Sequence, residues 1–209
     1  MKPVVITGTD TDIGKTVFAA GLTQALQAQY WKPVQAGLDG ETDSQTVARL
    51  SGMPTLTEAY RLKMPASPHL AAEDEGVEID PARLALPHVS GPLVVEAAGG
   101  LMVPLNRRVL FLDVIATWQA PVILCARTAL GTINHSLLSL AALRHAGCRL
   151  LGIAFIGASN PAVQRTICDF GDVADLGCLP MLNPLNTLTL AQAFAAHIDV
   201  KTIRKGLSL

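Results

Sequence analysis

The sequence predicts an α/β fold: a mostly parallel sheet with helices on both faces. Three observations carry this. Apolar runs at residues 4–6, 92–95, 121–125 and 150–156 lack the period-2 alternation of a half-wet strand, so they read as strands buried on both faces. Helical stretches alternate with them, as crossover connections between parallel strands require. The first turn of the chain, finally, runs strand, Gly-bounded loop, Gly14-Lys15-Thr16 and helix in that order.

Taken in order, residues 4–6 form the first strand and residues 17–29 the first helix. Trp31-Lys32-Pro33-Val34-Gln35 reads as a short second strand, with Tyr30-Trp31 packed between it and the helix. Residues 37–42 are a polar loop. Asp43 stands where a helix N-cap belongs, before an amphipathic run through Val47, Leu50 and Met53. Residues 62–91, punctuated by prolines, are the least regular part, with short helices expected near 70–75 and 81–86. Pro92–Glu96 is a strand that ends in the turn Ala97-Ala98-Gly99-Gly100. Then come a helix at 111–118, a strand at 121–125, and a helix from Thr132 to His145 stopped by Gly147. A strand at 150–156, a helix at 161–170, a strand at 174–180 that ends in a Pro and a helix at 189–198 complete the chain.

The totals bound the class. At 209 residues the chain is read as one domain spanning 1–209, and its 50% apolar content suffices for a large core. Sixteen basic residues against 17 acidic ones leave no basic patch, and aromatics make up only 4%, so a nucleic-acid partner is not expected. Cys125, Cys148, Cys168 and Cys178 form no CxxC pair and have no clustered His, so a zinc site is not expected and the pattern suits free thiols in the cytoplasm. No run of about 18 apolar residues is present, so a membrane span is not expected, and the start of the sequence lacks the pattern expected of a secretory leader.

Ligands of such sheets bind at the carboxyl ends of the strands, which points first to the loop after residue 6. A helix N-terminus behind a Gly-rich turn offers backbone N–H groups to phosphates. Lys15 adds a charge for the outer phosphates, and the Thr16 hydroxyl suits Mg²⁺. These are the parts of a P-loop, and they make the fold a P-loop NTPase-type three-layer one. Five residues rather than the usual four separate Gly8 from Gly14. Glu96, closing an apolar strand, is a second oxygen donor for Mg²⁺, or else a salt-bridged carboxylate. Asp43 is either a third donor or a plain N-cap. Lys32 either holds an anion at the strand rim or lies on the surface. His69 and His135 read as structural, and His88, His145 and His197 carry no neighbouring signal.

Five ordered stretches now bring in a family. Gly8-Thr9-Asp10-Thr11-Asp12-Ile13-Gly14-Lys15-Thr16, Lys32-Pro33-Val34-Gln35-Ala36-Gly37, Ser67-Pro68-His69, Val95-Glu96-Ala97-Ala98-Gly99-Gly100 and Gly131-Thr132-Ile133-Asn134-His135 together resemble the dethiobiotin synthetases over nearly the whole chain. The longer P-loop is normal in that family. The resemblance implies ATP- and Mg²⁺-dependent closure of the ureido ring of dethiobiotin from 7,8-diaminononanoate and CO2, in a homodimer with substrate between subunits. It implies that Asp12, Ile13, Gly14, Lys15, Thr16 and Val17 hold phosphates, and that Thr16, Asp43 and Glu96 surround Mg²⁺. Lys15 and Lys32 become catalytic charges, and Thr11, Lys32 and Ala36 face substrate. Glu96, Ala97, Ala98 and Gly99, with Pro180, Met181 and Leu182, touch the nucleotide.

Three positions depart from the family pattern. Ala36 replaces a common hydroxyl residue, and Ala97 replaces a common Gly. Ile156-Gly157 stands where many members carry Asn with Asp or Glu for the purine base, so looser base selection is expected. Two other readings compete. A cobyrinic acid diamide synthase-like P-loop ligase needs a further glutaminase domain with a nucleophilic Cys, for which this chain has no room. A partition-type switch ATPase carries a second Lys early in the loop and a basic surface, whereas Thr9-Asp10-Thr11-Asp12 is acidic.

Overall fold

The computed structural model describes residues 2–209. In chain order the elements are β1 (Lys2–Gly8), α1 (Lys15–Leu26), β2 (Gln29–Trp31), β3 (Val34–Ala36), α2 (Asp43–Ser51), β4 (Thr55–Leu56), β5 (Tyr60–Leu62) and α3 (Pro68–Asp74). A 3₁₀ turn (Pro81–Leu84) leads to β6 (Pro92–Glu96), α4 (Phe111–Trp118), β7 (Pro121–Arg127), α5 (Thr132–His145) and β8 (Arg149–Ile156). The chain ends with α6 (Pro161–Gly171), β9 (Asp175–Leu179), α7 (Thr187–His197) and α8 (Val200–Gly206).

Seven strands form one sheet in the order β4-β2-β6-β1-β7-β8-β9, and β3 pairs with β5 in a separate two-stranded sheet. Among the described residues every pairing between these strands is parallel. The unbroken apolar strands have a direct cause. Val4 and Ile6 enter one core cluster with Phe18, Leu22 and Phe194, while Val5 enters the opposite one with Phe111, Leu124 and Phe155. Both faces of β1 are therefore dry, as a helix-covered parallel sheet requires.

The order of strands also fixes where a ligand meets the sheet. From β1 the chain turns to one side for β2 and β6, then crosses back for β7 on the other side. The crevice beyond the carboxyl end of β1 is this switch point, and the loop from β1 to α1 lies there.

Several sequence expectations need correction. The first helix begins at Lys15 and stops at Leu26, because Gln27 takes a left-handed conformation (φ 52°) as its C-cap. The expected second strand is two. Tyr30 and Trp31 pair in the large sheet, and the chain leaves it at Lys32-Pro33 to build β3. Pro33 has no N–H for the ladder, and its carbonyl instead accepts from Tyr60 N at 3.1 Å. Thr42, not Asp43, is the N-cap of α2, in a capping box with Gln45. The short strands β4 and β5 and the last helix α8 were not anticipated. Pro92–Glu96 and Phe111–Trp118 match the expected bounds.

Candidate active site

The loop after β1 is shaped by its backbone. Gly14 has φ 92°, a left-handed conformation suited to glycine, and a Cβ there would lie 2.8 Å from Ile156 Cγ2. Asp12 has φ 53° and is exposed, as is Thr11. Ile13 is buried and fills the space beside Gly8. Gly14 caps α1 without any side-chain hydrogen bond. The N–H groups of the first turn therefore stay available to an anion, at the positive end of the helix dipole. Val17 packs its side chain into the core behind this turn.

Lys15 is 6% exposed, and its Nζ donates to the Asp10 carbonyl at 2.7 Å, arching over the loop. Burial holds its pKa below the usual lysine value, with Glu96 opposing and Lys32 adding to the drop. The loop is also tied from outside: Arg127 Nη2 donates to the Thr11 carbonyl at 2.8 Å.

Beside Lys15 two carboxylates converge. Thr16 Oγ1 lies 3.0 Å from Asp43 Oδ1 and 2.9 Å from Glu96 Oε1, and its one proton serves only one of them at a time. Lys32 supplies the missing positive charge. Its Nζ is 2.5 Å from Asp43 Oδ2 and 3.3 Å from Glu96 Oε1. Lys32 and Glu96 are almost wholly buried, at 4% and 1% exposure. Burial pulls the Lys32 pKa down, but the charges of Glu96 and Asp43 outweigh it and leave the value raised. Burial likewise pushes Asp43 up, yet the Lys32 charge and hydrogen bond, with Thr16, hold its carboxyl below the usual range.

Local sequence explains the convergence. Side chains alternate along β2, so Trp31 enters one core cluster while Tyr30 enters the other, and Lys32 returns to the Tyr30 side. Asp43 sits in the first turn of α2, where the dipole favours a carboxylate, and its N–H donates to Gln35 Oε1 at 3.2 Å. Glu96 ends β6, directly beside β1 and β2. The alternative of a surface Lys32 and the alternative of Asp43 as N-cap both fail on these positions.

The structure places the remaining sequence candidates along the same edge. Ala97 N donates to the Ile6 carbonyl at 2.9 Å, Ala97 and Ala98 are buried, and Gly99 turns with φ 63°. Pro180, Met181 and Leu182 follow the end of β9, with Met181 82% exposed. Ala36 ends β3 on the small sheet, half-buried. Ile156 closes the outer side of Gly14, and Gly157 N bonds to the Leu179 carbonyl at 2.9 Å. Thr9, Asp10, Ile13, Arg127, Thr132 and His135 line a small cleft beside the loop, so the motif at Gly131 meets the P-loop. His69 Nδ1 lies 3.1 Å from Ser67 Oγ, a local contact. All four cysteines are free. No helix among the described residues is long and apolar enough to cross a membrane.

Three contacts escaped the sequence reading: Gln35 to Asp43, Arg127 to Thr11, and Tyr30 Oη donating to Glu96 Oε2 at 2.8 Å. Tyr30 stands two residues before Lys32, so strand periodicity through Tyr30 was the available signal. Reading Tyr30 as a linker hid it.

A Gly-Lys-Thr turn at the switch point of a parallel sheet, faced by two carboxylates, defines a protein of the P-loop nucleotide-using class. Solved structures share the fold. A ParA family ATPase from Chlorobium tepidum TLS aligns with TM-score 0.56 at 11% identity, over 93% of this chain and 91% of that one. The cell division ATPase MinD of Pyrococcus furiosus gives 0.57 at 13%, over 92% and 90%. Identities this low speak for fold alone. A family model described as an AAA domain matches residues 2–189. Among curated relatives, the ATP-dependent dethiobiotin synthetase BioD of Rhodopseudomonas palustris strain BisA53 is 63% identical over 204 residues, 96% of each chain. That of Agrobacterium fabrum strain C58 is 61% identical over 199 residues, 94% of each. The chain belongs to the family of ATP-dependent dethiobiotin synthetases, and as a member it is an ATP-dependent ligase.

Proposed function

We propose that this protein, acting as one domain and as a cytoplasmic homodimer, converts 7,8-diaminononanoate, CO2 and ATP to dethiobiotin, ADP and phosphate in biotin biosynthesis. The observation that supports this most is the convergence of Thr16, Asp43, Glu96 and Lys32 beside the P-loop turn. One substrate amine takes up CO2 to give a carbamate. A carbamate oxygen attacks the γ-phosphorus of ATP, and ADP leaves. The second amine then attacks the carbonyl of the mixed carbamic–phosphoric anhydride, closing the ring and expelling phosphate.

Most of the catalysis asked of the protein is positioning and charge stabilisation. The N–H groups from Asp12 to Val17 hold the phosphates. Lys15 leaves the Asp10 carbonyl for the outer phosphates. Lys32 neutralises the carbamate and the transferring phosphoryl group, while Thr11 and Ala36 border the substrate. Glu96, Ala97, Ala98 and Gly99, together with Pro180, Met181 and Leu182, border the nucleotide.

The donor set also fits Mg²⁺. Two carboxylates, Asp43 and Glu96, both lie within hydrogen-bond distance of the Thr16 hydroxyl, which groups three hard oxygens, and the Lys32 ammonium already contacts both carboxylates. Two carboxylates and a hydroxyl suit an ion that keeps several waters and phosphate oxygens. When bound, Mg²⁺ neutralises charge on the phosphate oxygens.

Phosphate release from Mg²⁺ and ATP tests the proposal, with no addition, with the diamine, and with the diamine plus bicarbonate. Release is expected only with both additions. Release indifferent to the diamine would overturn it in favour of a switch ATPase or another ligase.

A further inference from the structure

Tyr30 belongs to none of the family-like motifs and takes no part in the chemistry above, yet its contact is specific. The two oxygens of Glu96 are used differently. Oε1 faces Thr16 Oγ1 at 2.9 Å and Lys32 Nζ at 3.3 Å, whereas Oε2 accepts from Tyr30 Oη at 2.8 Å. We propose that Tyr30 is a positioning residue for the metal site, locking the Glu96 carboxylate so that Oε1 alone is presented to the divalent cation. The inference rests on the reading of Glu96 as a ligand of Mg²⁺.

Three physical points carry it. The terminal torsion of a Glu side chain is broad and roughly two-fold, so an unrestrained carboxylate turns either oxygen, or both, toward a cation. Mg²⁺ tolerates little deviation from octahedral geometry, so a wandering ligand costs affinity. Tyr30 is held rigidly enough to impose an orientation. Its ring is fully buried, and its backbone pairs with Val94 on β6, two residues before Glu96. Since Glu96 is itself 1% exposed, bulk water does not replace the hydroxyl readily. Outer partners of metal ligands are commonly worth about 10- to 100-fold in affinity or activity.

The experiment is Mn²⁺ binding to the full chain with ADP, followed by electron paramagnetic resonance, for wild type, Tyr30→Phe, Tyr30→Leu and Glu96→Gln. Melting curves in chelator establish that each variant is folded. Tyr30→Phe keeps the ring and removes only the hydroxyl. Tyr30→Leu removes it with different packing, so agreement between the two assigns the effect to the hydrogen bond. The expected result is Mn²⁺ binding weakened about 10- to 100-fold in both, with ADP affinity in chelator changed by less than about twofold. In turnover assays the Mg²⁺ concentration for half activity rises similarly, while kcat at saturating Mg²⁺ returns to near the wild-type value. A residue that merely fills the core shifts the melting curve and leaves the Mn²⁺ affinity alone. Mn²⁺ binding within about twofold of wild type in Tyr30→Phe, with binding lost in Glu96→Gln, overturns the proposal for Tyr30 alone. Binding unchanged in Glu96→Gln overturns the metal-site reading and this inference with it.

Discussion

Replacing Lys32 by Met keeps an unbranched chain of similar length and removes the charge that separates Asp43 from Glu96. With both partners almost wholly buried, the Lys32–Glu96 attraction at 3.3 Å is worth a gross ~5 kcal/mol at an effective dielectric of about 20. The Asp43 contact is shorter, at 2.5 Å, but the Asp43 side chain is 32% exposed, so solvent screens it more strongly. Desolvation offsets much of the gross gain. What the variant loses is the compensation of a buried carboxylate, and breaking such a pair from one side costs about 3–5 kcal/mol. For a chain of this size each kcal/mol moves Tm by about 2–4 °C, so Tm in chelator should drop by roughly 6–20 °C. Urea unfolding in the same buffer gives the free energy directly, with the m-value unchanged. Adding Mg²⁺ and ADP should narrow the gap, because a second cation then compensates the carboxylates. A Tm for Lys32→Met within about 2 °C of wild type in chelator would refute the assignment of Lys32 as their counter-charge.

Three further outcomes are expected. Gly14→Ala places a Cβ at a left-handed residue 2.8 Å from Ile156 Cγ2, which should cost about 1–2 kcal/mol for the backbone alone; urea unfolding measures the loss, ATP titration should show weaker binding, and Ile156→Ala in the same background should recover part of both. If, as the family resemblance implies, residues 156–157 border the base, Ile156-Gly157 offers it no polar side chain, so a panel of nucleoside triphosphates should support turnover with little discrimination; strict preference for ATP would contradict this. Asp43 has its pKa lowered from 3.8, so the folded state binds fewer protons than the unfolded one across the interval between the two values. Its contribution is complete above the unfolded value and is lost as pH falls through the folded one. The stability difference between wild type and Asp43→Asn should therefore shrink below about pH 4, and a constant difference down to about pH 3 would show the shift to be absent.

The parts legible in the sequence were those with strong local causes. The strand Pro92–Glu96 is apolar until its terminal carboxylate, and the P-loop turn combines Gly14, Lys15 and Thr16 in one short stretch. Its position at the carboxyl end of a parallel strand followed from the alternation of strands and helices, whereas the switch point there needed the strand order. The division of residues 31–35 between two sheets was not legible, because Val34 and Gln35 look like a continuation of Tyr30 and Trp31. Only the partner, β5, reveals that they pair elsewhere, and three residues around Arg61 give little strand signal. The N-cap was misplaced by one residue since Thr42 and Asp43 are both good caps, and the capping box with Gln45 decides between them. Lys32 could not be read as buried from its neighbours, because the carboxylates that pair with it, Asp43 and Glu96, are distant in sequence, the latter 64 residues away. Strand periodicity puts Tyr30 on the Lys32 side of β2, but its partner Glu96, 66 residues away, follows only from the register of β2 against β6.

The exit of the chain from the large sheet at Lys32-Pro33 has an evolutionary consequence. Gly14, Lys15, Thr16 and Glu96 belong to the large sheet or its first helix, while Gln35 and Ala36 ride on the two-stranded one. Lys32 is the seam. Sequence drift within β3 and β5 re-aims Ala36 without disturbing the register of β1, β6 and β7, which sets the turn at Gly14. The architecture thus leaves a ribbon of six residues, three per strand, whose pairing is separate from the register on which the turn at Gly14 depends.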